Sequence, residues 1–108
     1  MDKFEIIAKH KSTTGLIEGK NAGTSIYKED GKYYKLHLNI LPNITYFMKR
    51  NHSNEGFTIF SKAMGKGEEL KLSKPVGCAK ISKDIKNYIK LEFELLNIVL
   101  YMSLFPQK

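Results

Sequence analysis

Apolar and polar residues alternate with a period of two along most of the chain. The segments Tyr33–Ile40 and Tyr88–Leu95 show this most cleanly, and no segment sustains the 3.6-residue period of a helix. Successive side chains of a β-strand point to opposite faces, so the alternation predicts strands with one buried face. The predicted strands are Lys3–Lys11, Thr24–Lys28, Tyr33–Ile40, Ile44–Arg50, Phe57–Lys62, Glu68–Ser73 with a continuation over Val76–Ser82, Tyr88–Leu95 and Ile98–Phe105.

Turn-forming residues separate these segments. Asp30-Gly31 predicts a tight hairpin turn, because these residues tolerate the positive φ values that such a turn needs. The polar run 51–56 predicts a second hairpin. The missing amide hydrogen of Pro75 predicts a strand end or an edge. The glycine-containing segment 15–23 predicts a mobile wing or a bulged edge.

About seven short strands at regular spacing predict one all-β domain covering residues 1–108. We expect a small barrel of about five to seven antiparallel strands, with a two-sheet sandwich as the second choice. A C-terminal helix over residues 84–105 is the remaining alternative, but it would leave apolar side chains all round its surface.

The last predicted strand, Ile98–Phe105, is apolar on nearly both faces. Such a strand either lies in the centre of the core or packs against another subunit. We expect a homodimer whose interface contains alternate residues of this strand, namely Ile98, Leu100, Met102 and Leu104.

Charge suggests the kind of partner. The 108 residues include 18 lysines and arginines against 11 aspartates and glutamates, and the net charge of +7 would attract polyanions or acidic protein surfaces. All these basic residues except Arg50 are lysines, which hold a phosphate backbone but read base edges poorly. A chain rich in lysine, asparagine and isoleucine is also typical of AT-rich coding sequence, which explains the lysine excess equally well.

Residues for catalysis or metal binding are not grouped in the sequence. The three histidines and the single cysteine, Cys78, have no catalytic or zinc-ligand spacing, so we expect a non-enzyme with no metal and no cofactor. The N-terminus lacks a signal-peptide pattern, Cys78 has no internal disulfide partner, and the apolar stretch Leu95–Phe105 is too short to span a bilayer. We therefore expect a cytoplasmic protein with no membrane partner.

An aromatic residue stands two places before a lysine in four predicted strands: Tyr33/Lys35, Phe47/Lys49, Phe60/Lys62 and Tyr88/Lys90. Both members of a pair share one strand face, where a ring could stack on a base while the ammonium meets a phosphate. Glu92 and Glu94 share the face of Tyr88 and would repel phosphate, so we exclude that pair. The predicted nucleic-acid-binding residues are Lys20, Lys32, Tyr33, Tyr34, Lys35, His37, Phe47, Lys49, Arg50, Phe60 and Lys62. The alternative is that the rings form a second packed layer outside the sheet.

The run Gly31-Lys32-Tyr33-Tyr34-Lys35-Leu36, preceded by the glycine-containing wing, resembles the small single-stranded DNA-binding proteins of phages. The resemblance covers mainly the first half of the chain. The resemblance implies a small oligonucleotide-binding (OB) barrel that dimerises and coats single strands cooperatively, with Lys32, Tyr33, Tyr34 and Lys35 on the binding strand. The chain departs from that family in ending with an apolar strand where many members have an acidic tail.

Together these observations predict sequence-independent binding of single-stranded nucleic acid, DNA in preference to RNA, by residues on neighbouring strands. A second hypothesis is a small interaction protein of phage or mobile-element origin that binds and inhibits a host enzyme. A third is a structural component of an assembly, in which the C-terminal strand completes a neighbour's sheet.

Overall fold

Eight strands form the framework of the described part of the chain. The computed structural model describes residues 2–11, 17–39, 41–52, 56–65, 70–83, 87–94 and 98–106. The strands are β1 (Lys3–Lys11), β2 (Ile17–Lys28), β3 (Tyr33–Leu38), β4 (Thr45–Arg50), β5 (Phe57–Met64), β6 (Lys71–Ile81), β7 (Tyr88–Phe93) and β8 (Ile98–Pro106). Most of them coincide with the segments of alternating apolar and polar residues.

The strands form one closed antiparallel barrel in sequential order. Each strand pairs with the next along the chain, and β1 closes the sheet by pairing with β8, where Ile6 lies opposite Met102. The predicted all-β antiparallel barrel is confirmed, but it has eight strands rather than five to seven. Its up-and-down order also differs from the five-stranded Greek-key order of an OB barrel. Because the sheet is closed, the two-sheet sandwich is wrong.

The barrel interior is filled by apolar side chains from every strand. Ile6, Leu36, Met48, Ile59 and Leu91 are completely buried. Since inward positions recur at every second residue, the intervening positions of these strands face outward. Ser25 is a polar exception in the interior: its hydroxyl is buried and finds no hydrogen-bond partner within the described part of the chain.

Most of the predicted wing belongs to β2. Residues 17–23 pair with β1, and Ala22 is the extra residue of a β-bulge in that pairing. The bulge agrees with one of the two predictions for this segment, but β2 is not an edge because it lies between β1 and β3. A Cβ on Gly23 would collide with the carbonyl oxygen of His37, so this position requires glycine. Residues 12–16 lie outside the described part of the chain.

The turn between β2 and β3 is a four-residue loop in which Lys32, and not Gly31, has the positive φ angle of 52°. The Lys32 N–H donates to the carbonyl oxygen of Glu29 at 3.3 Å, and the Gly31 N–H donates to the carboxylate of Asp30 at 3.0 Å. Gly31 avoids a steric problem instead, because a Cβ there would lie 2.6 Å from the ring of Tyr33. The predicted hairpin is confirmed, with a different residue in the left-handed conformation.

Pro75 lies inside β6 and does not end the strand, contrary to the prediction. The register between β5 and β6 shifts between Ile59 and Phe60, which makes Val76 the extra residue of a β-bulge. The hydrogen-bond ladder is interrupted at a bulge, so a residue without an amide hydrogen is tolerated there.

β8 lies between β7 and β1 and is hydrogen-bonded to both, so the alternative of a C-terminal helix is wrong. Four residues of this strand are predicted for a dimer interface. Leu100 and Met102 are buried in the barrel core, Ile98 packs against that core, and Leu104 is exposed. Leu100 and Met102 therefore lie in the core, which is the first of the two positions predicted for this strand. The homodimer stays a prediction.

Candidate nucleic-acid interface

β3, β4 and β5 are neighbours in the barrel, as the predicted site requires. Their outward side chains form rows across the strands: Lys35 lies opposite Phe47, Phe47 lies opposite Phe60, and Tyr33 lies opposite Lys49. Directly opposed side chains have Cβ atoms about 4.5–5.5 Å apart. The rings of Tyr33 and Phe47 thus each have a lysine across from them and another lysine two positions away on their own strand.

We refer to these outward residues as the β3–β5 face, which consists of Tyr33, Lys35, His37, Phe47, Lys49, Phe60 and Lys62. His37 and Lys62 are exposed, and the other members of the face are half-buried.

The rings of the β3–β5 face are packed partly against protein. Tyr33 and Phe47 have ring centroids 6.1 Å apart and planes inclined by 51°. If a Cβ atom were added to Gly31, it would lie 3.2 Å from the Cδ2 atom of Leu70. Leu70, the residue before β6, therefore lies beside the β2–β3 turn. Burial, and to a smaller extent the negative charge of Asp30, raises the pKa of the Tyr33 hydroxyl. The remaining exposed part of each ring is available to a ligand.

Basic residues are concentrated on this side of the barrel. The described strands β3 to β6 contain no aspartate or glutamate, whereas their basic residues are Lys35, Lys49, Arg50, Lys62, Lys71, Lys74 and Lys80. On β7, by contrast, Lys90 and Glu92 form an ion pair at 3.9 Å. A polyanion would therefore meet positive charge along β3 to β6 and mixed charge beside Tyr88.

Four of the predicted binding residues lie outside the β3–β5 face. Lys32 is exposed in the adjoining β2–β3 turn. Tyr34 and Arg50 lie on the inward phase of their strands, that is, at the alternate positions whose other side chains point into the barrel. Both residues line a cavity at the end of the barrel. Lys20 lies in the part of β2 whose side chains fall outside the described structure.

The cavity at the end of the barrel is the feature that the sequence patterns miss. Its lining includes Tyr34, Arg50 and Phe57. A signal is nevertheless present in β4, where Arg50 follows Tyr46 and Met48 on the inward phase at a position that normally carries an apolar residue.

The described residues also bear on metal binding and on membrane-spanning helices. Among them, no group of three or more histidine, cysteine, aspartate or glutamate side chains could hold a metal ion. No helix in the same part of the chain is long and apolar enough to cross a membrane. No protein-family model matches the sequence, and comparisons with curated proteins and with solved structures find no match.

Proposed function

We propose that the chain binds single-stranded nucleic acid on the β3–β5 face, with little dependence on base sequence and with DNA as the first ligand to test. The observation that carries this proposal is the alternation of rings and lysines on adjacent strands, with Lys35 opposite Phe47 and Tyr33 opposite Lys49. A single strand offers unpaired bases on which rings can stack and phosphates that ammonium groups can neutralise.

The arrangement of the rings suits a short stretch of stacked bases. Adjacent strands lie about 4.8 Å apart, and Phe47 and Phe60 are direct partners on such strands. Sheets that bind RNA use aromatic residues on neighbouring strands to stack about two or three bases. His37 and Lys62 are exposed on the same face and could contact the flanking phosphates.

The cations of the face favour contacts to the backbone over contacts to base edges. These cations, Lys35, Lys49 and Lys62, are all lysines, and Arg50, the one residue of the chain with a guanidinium group, lies at the barrel mouth instead. Bidentate recognition of guanine is best made by the rigid guanidinium fork. We therefore expect oligothymidylate and mixed-sequence strands of the same length to bind with similar affinity.

Amide chemical-shift mapping with an oligothymidylate of about twelve nucleotides tests the location of the site. We expect the largest shifts at Tyr33, Phe47 and Phe60 and small shifts at Tyr88 and Lys90, which lie on β7 beside acidic residues. Saturable binding with the largest shifts on β7 or β8 would place the site elsewhere and contradict the proposal.

A further inference from the structure

A cavity of about 680 Å³ opens at the end of the barrel where β4 meets β5 and β6 meets β7. Aromatic and aliphatic side chains form much of its wall: Tyr34, Phe57, Ile81, Ile89 and Leu104. The rings of Tyr34 and Phe57 pack edge to face with centroids 6.1 Å apart. This volume lies within the range of about 300–1,000 Å³ that is typical of small-molecule sites.

The apolar residues of this wall are not fully covered by other side chains. Deeper in the barrel Met48 and Ile59 are completely buried, whereas Ile81 keeps 66% and Leu104 38% of its surface exposed. The barrel interior is thus closely packed around Met48 and Ile59 and open at the mouth. The mouth can admit an apolar molecule, which would remove the exposed surface of Ile81 and Leu104 from water.

Positive charge surrounds the cavity. Arg50, Lys80 and Lys83 belong to its lining, and none of the described lining residues is acidic. Burial and the neighbouring Tyr27 raise the pKa of the Tyr34 hydroxyl, while the charge of Arg50 opposes that rise. The guanidinium therefore acts electrostatically on a hydroxyl inside the mouth.

We propose that the barrel mouth binds a small anionic amphiphile, with its apolar part against Phe57 and Ile89 and its anionic head at Arg50. A guanidinium can hold a carboxylate or a phosphate through two parallel hydrogen bonds. The site is separate from the β3–β5 face, because Tyr34, Arg50 and Phe57 lie on the inward side of the strands whose outward side forms that face. The other lining residues belong to β6, β7, β8 and adjoining turns.

Calorimetric titration of the unaltered chain with decanoate and with decyltrimethylammonium tests this proposal. The two probes have alkyl chains of equal length and heads of opposite charge, and both are used below the concentration at which they form micelles. We expect decanoate to bind about tenfold or more tightly than the cation, because its head can make charge-assisted hydrogen bonds. Amide shifts should appear at Tyr34, Phe57 and Ile89.

Equal affinity for both probes, no binding of either, or shifts centred on the β3–β5 face would overturn the proposal. Binding to vesicles containing phosphatidylglycerol without binding of decanoate would also overturn it, because the source of the ligand would then be a membrane surface.

Arg50→Gln tests the position of the anionic head. This variant should bind decanoate about tenfold more weakly and the cationic probe unchanged. Lys90→Gln is the matched control, since it removes the same charge from β7, outside the cavity lining. Equal decanoate affinity in the two variants would contradict the assignment. The comparison of the two probes decides the question even where Arg50→Gln does not fold.

Discussion

Replacing Phe47 with leucine separates base stacking from packing on the β3–β5 face. Phe47 is half-buried, lies opposite Lys35 and Phe60, and contacts the ring of Tyr33. Leucine keeps an apolar side chain at this position but has no aromatic face on which a base could stack.

Two magnitudes distinguish the roles of the ring. Stacking of a base on an aromatic side chain contributes about 1–3 kcal/mol, so Phe47→Leu should raise the Kd for single strands by about five- to 150-fold. Truncating a core phenylalanine to alanine costs about 3–5 kcal/mol. Because leucine retains much of the apolar volume and Phe47 is half-buried, we expect a loss of less than about 1.5 kcal/mol in the free energy of unfolding.

Fluorescence anisotropy with labelled oligothymidylate measures the Kd, and urea denaturation measures the free energy of unfolding. Tyr88→Leu is the matched control, because Tyr88 is a half-buried ring on β7 that the proposed site excludes. Unchanged binding by Phe47→Leu, or equal weakening by Tyr88→Leu, would refute the stacking role. A large loss of stability with unchanged Kd would assign Phe47 to a second packed layer.

Three further predictions concern charge, a buried hydroxyl and a half-buried phenol. Lys49→Gln should reduce the slope of log Kobs against log salt by about 0.7, whereas Lys90→Gln should not change it; equal slopes in salt-dependent titrations would contradict this. Ser25→Ala should raise the free energy of unfolding by about 1 kcal/mol, since the hydroxyl has no hydrogen-bond partner among the described residues; a decrease in urea denaturation would show that the hydroxyl is satisfied. Burial raises the pKa of Tyr34 in the folded state, so the unfolded chain loses its proton first, and stability should fall as the pH rises above about 10. In pH-dependent denaturation Tyr34→Phe should make this fall less steep, and an identical fall in both proteins would contradict the assignment.

Strands with one polar and one apolar phase could be predicted from the sequence, because burial of one face imposes a period of two. β3 and β7 follow this rule, and their inward residues are buried as the alternation predicts, except that Tyr34 at the barrel mouth is half-buried. The outward rings and lysines of β3 to β5 could also be predicted as a group, since strands that follow one another along the chain usually pair.

Features that depend on distant parts of the chain could not be predicted in this way. The pairing of β1 with β8 decides that Leu100 and Met102 face a closed interior, and no local pattern encodes it. Pro75 is compatible with β6 because a bulge occurs at that point. The sequence predicts that Arg50 is a surface cation of the binding face. In the structure Arg50 is the last residue on the inward-facing side of β4, so it lies at the barrel mouth.

A salt-dependent titration of oligothymidylate, compared with a duplex of the same length, tests most directly whether the β3–β5 face binds single strands. The face carries Lys35, Lys49 and Lys62, and one phosphate contact for each gives an expected slope of about −2 for log Kobs against log salt. The single strand should bind more tightly than the duplex at every salt concentration, because a duplex hides the faces of its bases. Absence of binding at about 50 mM salt, or equal affinity for the duplex, would contradict this function.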